Sequence, residues 1–310
     1  MNERKPYRDF ASWIAQFFDF KVQKISIDAG FSCPNRDGTV SRGGCTFCDN
    51  RTFNPSYCDG KKSVTEQICD GKKFFSRKYP DMKYLAYFQA FSNTYAPLDC
   101  LKALYEEALA VDGVVGLIVG TRPDCVDDEK IAYLGQLAKS TFVMVEYGVE
   151  SVYDDVLQRV NRGHTFAQSR DAIVKTHEAG IHTGAHVILG LPGETREMTI
   201  RSAETISSLP LDVLKIHQLQ IIKGTRMAEE KDRIRTFELD EYIDLLCEYI
   251  RHLRPTLVLE RFVSQSPADL LIAPKWGLKN HEFTHRLLKR LQNTQTDTPD
   301  NCFGEPKRGK

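Results

Sequence analysis

Apolar runs of strand length alternate with amphipathic stretches of helix length along most of this chain, and no other feature constrains the fold as strongly. Strand-like runs fall at 21–28, 83–89, 114–120, 141–148, 182–189, 212–219 and 256–261. Helix-like stretches lie between or after them, at 63–78, 97–111, 127–139, 151–160, 165–179, 194–208 and 239–253. Local signals support several ends. Ser63 with Glu66 three residues on makes a capping box, Pro97 and Asp99 open the next helix, and Gly180 follows another as a C-cap. Such alternation predicts an α/β fold, a parallel sheet linked by βαβ crossovers. Six or seven units with no topological break favour a partial (β/α)6-type barrel with a short C-terminal extension. Its helices would coat the outside, and functional groups would gather at the C-terminal ends of the strands. The expected organisation is an N-terminal extension over 1–20, a barrel core over 21–261, a basic and aromatic extension over 262–293, and a disordered tail over 294–310.

Composition narrows the function. Lys+Arg and Asp+Glu both number 42 in 310 residues. A strongly basic nucleic-acid coat is excluded, though a local patch is not. No apolar run approaches the ~18 residues of a membrane span, and the polar N-terminus does not read as a secretory signal. A cytoplasmic protein is expected. The nine cysteines are then not a disulfide framework, and they read as buried, catalytic or metal-bound thiols.

Three of them share one loop. After the strand at 21–28 comes AGFSCPNRDGTVSRGGCTFCDN, which carries Cys33, Cys45 and Cys48 in a Cys-x11-Cys-x2-Cys spacing. In a barrel this loop lies on the catalytic rim. A Cys-x2-Cys pair turns two sulfurs toward one centre, and Gly43 and Gly44 let the backbone fold tightly around it. Three readings are open at this point: buried structural thiols, a zinc site with Cys58 or a histidine as fourth ligand, and a [4Fe–4S] cluster held by three cysteines with one iron open.

Three cysteines after the first strand of a partial barrel, with Phe47 immediately before the third, resemble the radical S-adenosylmethionine (SAM) superfamily. The x11 gap departs from the superfamily's common x3 spacing. It is instead similar to a subgroup related to the catalytic subunit of Elongator. Within that subgroup GFSCPNRDGT, GGCTFC, YFQAFSNTYAP, VGTRPDC, NRGHT and LGLPGE resemble the YhcC/YtqA-like bacterial family.

The resemblance implies that Cys33, Cys45 and Cys48 ligate a [4Fe–4S] cluster. SAM would chelate the open iron, and backbone near Phe47 would meet its adenine. It also implies cofactor contacts from Gln89, Ser92, Asn93 and Thr94, where the superfamily has a Gly-Gly-Glu motif that this chain lacks. Further contacts are implied from Glu146 at the end of the strand 141–148 and from Gly190, Gly193 and Glu194 in ILGLPGE. The implied chemistry is reductive cleavage of SAM to a 5′-deoxyadenosyl radical that takes hydrogen from a substrate, with an electron donor such as flavodoxin or ferredoxin.

No residue is fixed as catalytic. Lys215 and His217 share a face of the strand 212–219, and a lysine and a histidine there suit a wet interior better than a helix-covered surface. His182 and His186 likewise share a face. Arg122, Arg162 and His164 follow other strands, and Cys58 and Cys125 sit in loops. The Elongator-like resemblance implies a transfer RNA (tRNA) wobble uridine as substrate. Lys275, Lys279, Arg286, Lys289 and Arg290, with Trp276 and Phe283 among them, form a cationic and aromatic segment suited to RNA. The alternatives are a small-metabolite substrate, or a zinc or iron–sulfur protein without catalysis.

Overall fold

A computed structural model describes residues 5–52, 54–76 and 81–295. Ten strands occur among them: β1 (Arg8–Asp9), β2 (Val22–Ile27), β3 (Lys83–Phe88), β4 (Val114–Thr121), β5 (Phe142–Glu150), β6 (His182–Leu189), β7 (Val213–Gln218), β8 (Ile221–Ile222), β9 (Val258–Arg261) and β10 (Leu271–Ala273). Eight form one parallel sheet in the order β1-β9-β7-β6-β5-β4-β3-β2. The sheet curls into a partial barrel, as the alternation predicts. Across the seam, Lys24 Nζ on β2 reaches Glu260 Oε1 on β9 at 2.6 Å.

Strand alternation sorts the side chains. On β5, Val143, Val145, Tyr147 and Val149 join the core under the helices. The intervening Phe142 and Met144 face the barrel interior with Leu85, Ile118, Val213 and Val258. The lower interior is therefore apolar. Higher up, the inward positions become Lys24, Tyr87, Glu146, His186 and Lys215.

Residues 5–20 do more than precede the barrel. β1 pairs in parallel with β9, and the helix Phe10–Ile14 follows with Asp9 as its N-cap. Trp13 and Ile14 are buried against the apolar lower interior. Two charged residues gave no strand signal, so β1 was not legible before pairing.

Most predicted helices hold within a residue or two of their ends. The capping box at Ser63 forms, with Ser63 N donating to Glu66 Oε2 at 2.8 Å. The helix predicted from 194 begins later, at Arg196–Ser207, because Thr195 is its N-cap. The stretch 261–291, unassigned from sequence except for a helix expected over 282–291, contains β10, which pairs antiparallel with β8, and that helix, which runs longer, as Asn280–Gln295. The expected aromatic RNA surface there is not available. Phe283 is buried, and Trp276 stacks on it at 5.9 Å while donating its indole N–H to Phe237 O at 3.1 Å. Both rings pack against Tyr242. Arg290 is paired with Asp240 and Asp244, whereas Lys275, Lys279, Arg286 and Lys289 are exposed. The tail expected from 294 lies, beyond Gln295, outside the described residues. No described helix is long and apolar enough to cross a membrane.

Candidate active site

The cysteine loop is folded by its own turns. Cys33 precedes the short helix Pro34–Asp37, and an isolated bridge between Asp37 and Arg42 turns the chain back. Gly43 and Gly44 adopt φ of 81° and 79°, a region open to glycine. The long gap between the first two cysteines is thus taken up as a helical turn and a hairpin. Neighbouring elements clamp the loop: Asn161 Nδ2 and Arg226 Nη2 donate to Gly44 O at 2.8 and 3.0 Å, and Thr46 N donates to Val160 O at 3.0 Å.

All three cysteines line a single cavity of about 150 Å³ at the C-terminal end of the barrel. Donors point at the sulfurs and their backbone. Asn35 Nδ2 and Arg162 Nη1 lie 3.4 and 3.5 Å from Cys45 Sγ, and Arg36 Nη2 donates to Cys48 O at 2.8 Å. Burial and neighbouring Cys45 push the Cys48 thiol up to about 11, with Arg36 and Arg162 pulling against them. Metal ligation takes the place of the proton on such thiols. Among the described residues no three His, Cys, Asp or Glu side chains converge on one point as a single ion requires. Sulfurs spread round a cavity wall, with guanidinium and amide donors beside them, fit a cluster that presents several iron corners.

The other expected cofactor residues divide. Phe47, Gln89, Ser92 and Glu146 line the cavity. The Ser92 hydroxyl is buried with no hydrogen-bond partner. Asn93 and Thr94 tie the loop to β4 instead: Asn93 Nδ2 donates to Gly120 O at 2.8 Å and Thr94 Oγ1 bonds Thr121 Oγ1 at 2.6 Å. Gly190, Gly193 and Glu194 lie outside the cavity lining. The space at Gly190 faces the Phe237 ring and that at Gly193 faces Arg159, so the close approach expected there is to protein. Glu194 accepts from Ser151 Oγ at 2.6 Å, and burial pushes its carboxyl up to about 7. Cys58 and Cys125 are buried and not on the lining.

Glu146 does not end its strand. It lies four residues before Glu150, the last residue of β5. Its Oε2 is met by Lys215 Nζ at 2.6 Å, the Tyr87 hydroxyl at 2.6 Å and His186 Nε2 at 3.0 Å, and its Oε1 by Lys24 Nζ at 3.2 Å. The lysines hold its carboxyl well below the usual range despite burial. Burial draws Lys215 down to about 8, still on the charged side of neutrality. Lys215 and His217 both face the interior, as their spacing allows. His217 bonds Ser264 Oγ at 2.6 Å and lies 5.5 Å from the His186 ring. Arg162 also donates to Gly148 O at 2.6 Å and pairs with Glu150 at 3.4 Å. His164 is buried, its Nε2 has no partner, and burial with Arg162 and Arg122 lowers it to about 2.

Sequence reasoning missed Glu150, Arg36, Lys24 and Tyr87. Glu150 was reachable, since it shares the inward face of β5 with Glu146 and Gly148 at two-residue spacing. Arg36 was not, because its place beside the sulfurs depends on the hairpin.

Comparison with known proteins agrees with this architecture. The family model described as the Radical SAM superfamily matches residues 37–206, and the Radical_SAM C-terminal domain matches 211–293. The chain is 36% identical to YtqA of Bacillus subtilis over 94% of its own length and 91% of that protein's. It is 27% identical to the tRNA uridine(34) acetyltransferase of Methanocaldococcus infernus, over 51% of this chain and 30% of that one. The structure of the archaeal M. infernus Elp3 lacking residues 1–46 superposes with a TM-score of 0.64 at 18% identity, covering 89% of this chain and 64% of that one. A three-cysteine cavity at the C-terminal rim of a parallel partial barrel and a family match over more than half its length place the chain, a relative of YtqA, in the radical SAM superfamily of enzymes.

Proposed function

We propose that Cys33, Cys45 and Cys48 hold the [4Fe–4S] cluster and that the cavity beside them receives SAM, for modification of RNA. The two cofactors are those of the superfamily. When bound they supply reductive cleavage of SAM to a 5′-deoxyadenosyl radical, which takes a hydrogen atom from the substrate. The observation that carries the reading is that the three cysteines line one cavity with Arg36 and Arg162 beside them. Arg36 and Arg162 balance thiolate charge. Phe47, Gln89 and Ser92 form the wall against which SAM is oriented, Glu150 with Arg162 forms its rim, and Glu146 lies at its floor. An electron donor such as flavodoxin or ferredoxin is the proposed partner, and the cytoplasm the proposed location.

Anaerobic reconstitution with iron and sulfide, then dithionite and SAM, tests this. About four irons and four sulfides per chain and formation of 5′-deoxyadenosine are expected. Cys33→Ala, Cys45→Ala and Cys48→Ala should each lose the cluster, whereas Cys100→Ala and Cys247→Ala should keep it. A triple cysteine variant that retains its iron would sink the assignment.

The substrate we propose is a tRNA wobble uridine. Relationship to a tRNA uridine(34) acetyltransferase over half the chain supports it. So do the exposed cations Lys275, Lys279, Arg286 and Lys289 on the 262–293 extension, which serves as the RNA contact beside the 21–261 core. With Trp276 and Phe283 packed inside, the contact is electrostatic. Affinity for tRNA should fall with salt at ~0.7–0.9 per phosphate contact. Charge reversal at Lys275, Lys279 and Lys289 should weaken it without changing iron content. Nucleoside analysis of tRNA from a deletion strain is the decisive comparison, and an unchanged profile would redirect the search to a small metabolite.

A further inference from the structure

Strand β9 is bulged where it reaches the rim. Its register against β7 runs Val213 to Val258, Leu214 to Leu259, then Lys215 to Arg261, so Glu260 and Arg261 together oppose one residue. A bulge of this kind re-aims side chains. Here it brings two consecutive charges to the barrel interior, where strict alternation would admit one. Glu260 bonds Lys24 at 2.6 Å and lies 3.6 Å from Lys215. The positive charge of Arg261 bears on Tyr87, Lys215 and His217, all of which face inward.

The two residues then differ. Glu260 is fully engaged by lysines. Arg261 is half-buried, and among the described residues no hydrogen bond or ion pair engages its guanidinium. A guanidinium carries five N–H donors, and no nitrogen of Arg261 is among the fully buried unpaired atoms, so its donors stay open to an acceptor that enters the chamber. Lys24, Lys215 and Arg261 oppose Glu146 and Glu260 on this floor, three cations to two carboxylates, which leaves one positive charge uncompensated. His217 lies two residues beyond Lys215, the register partner of Arg261, and feels the charge of Arg261. One ring nitrogen is held by Ser264, and the other has no partner among the described residues. Through His186, which neighbours His217 and lines the cysteine cavity, the floor is continuous from the cysteine wall to Arg261.

We propose that Arg261, backed by His217, is an anion-binding subsite that grips a phosphate of the substrate and fixes it across the chamber from the cysteines. The choice of phosphate rests on the RNA reading above, and the anion site itself rests on the bulge and the unpartnered guanidinium. A backbone phosphate of RNA and the terminal phosphate of a free nucleotide offer the same fork-shaped acceptor.

Calorimetric titration of the reconstituted full chain distinguishes these sources, with uridine, uridine 5′-monophosphate and a 5′-hydroxyl tri-uridylate as probes. The wild-type protein should bind at least one phosphate-bearing probe tenfold or more tighter than uridine. Arg261→Gln should erase that preference, and Arg261→Lys should keep part of it, having the charge without the fork. Iron content and near-ultraviolet circular dichroism report whether each variant is folded. Should Arg261→Gln fail that check, phenylglyoxal labelling of wild-type Arg261, blocked by the monophosphate but not by uridine, carries the test. A preference for the monophosphate would assign a free nucleotide, and one for tri-uridylate the RNA backbone. Equal binding of all three probes, binding of none, or a preference that survives in Arg261→Gln overturns the subsite. An Arg261-dependent preference for the monophosphate with no binding of tRNA would retain the subsite and remove the RNA reading.

Discussion

Glu146 is a carboxylate inside a barrel, and its surroundings show what burial demands of a charge. Two lysines, a tyrosine and a histidine meet it. Removing one partner of a buried pair leaves the others uncompensated. Glu146→Gln is expected to cost about 3 kcal/mol in denaturant unfolding. It should also lower SAM cleavage at unchanged iron content; cleavage at the wild-type rate would make Glu146 a structural charge alone. His164 gives a second expectation. Its folded-state pKa of about 2 lies below the ordinary 6.5. As pH falls the unfolded chain takes the proton first, so this contribution to stability is complete above about pH 6.5 and is lost progressively below it. The slope is at most about 1.4 kcal/mol per pH unit. His164→Gln should therefore lose less Tm than the wild type between pH 7.5 and 5.5. An identical loss in both proteins would show that His164 is not buried in neutral form.

At the scale of elements, strain collects around the site. The described non-glycine residues with positive φ are Phe91, Glu150 and Asn161, at 61°, 68° and 53°. The first two line the cysteine cavity, and the third donates to the cysteine loop. Such conformations cost of order 1–3 kcal/mol each and persist where surrounding structure dictates them. Packing elsewhere overrides propensity. Gly71 lies inside the helix Val64–Ser76, where alanine would ordinarily gain about 1 kcal/mol. A Cβ there would lie 2.5 Å from Ile25 Cγ2 and 3.2 Å from Tyr57. Overpacking of about 1–3 kcal/mol should win, so Gly71→Ala is expected to be net destabilising by about 1 kcal/mol. A raised Tm would show that Ile25 yields.

At the scale of the molecule, the chamber is defined at both ends. The N-terminal helix closes the base through Trp13 and Ile14, and the Lys24–Glu260 pair spans the seam. Trp13→Ala should cost about 3–5 kcal/mol, measured by thermal or denaturant unfolding. An effect under 1 kcal/mol would mean that residues 5–20 are an appendage to a self-sufficient barrel.

The amino-acid sequence by itself determined the architecture and the cysteine loop. Hydrophobic periodicity is local, so it declares strands and helices before they meet, and three cysteines in one Gly-rich loop are close in space however the loop folds. It also put Lys215 and His217 on one face, since alternation is a property of any strand. Tertiary structure alone decided which face points inward, where β5 shifts register against β6 past Gly148, and which four donors surround Glu146. It turned Trp276 and Phe283 from candidate base-stacking rings into core. It made Arg8 and Asp9 a strand, because parallel pairing with β9 requires a partner some 250 residues away. Each of these depends on contacts between distant segments, and no local pattern in the chain encodes them.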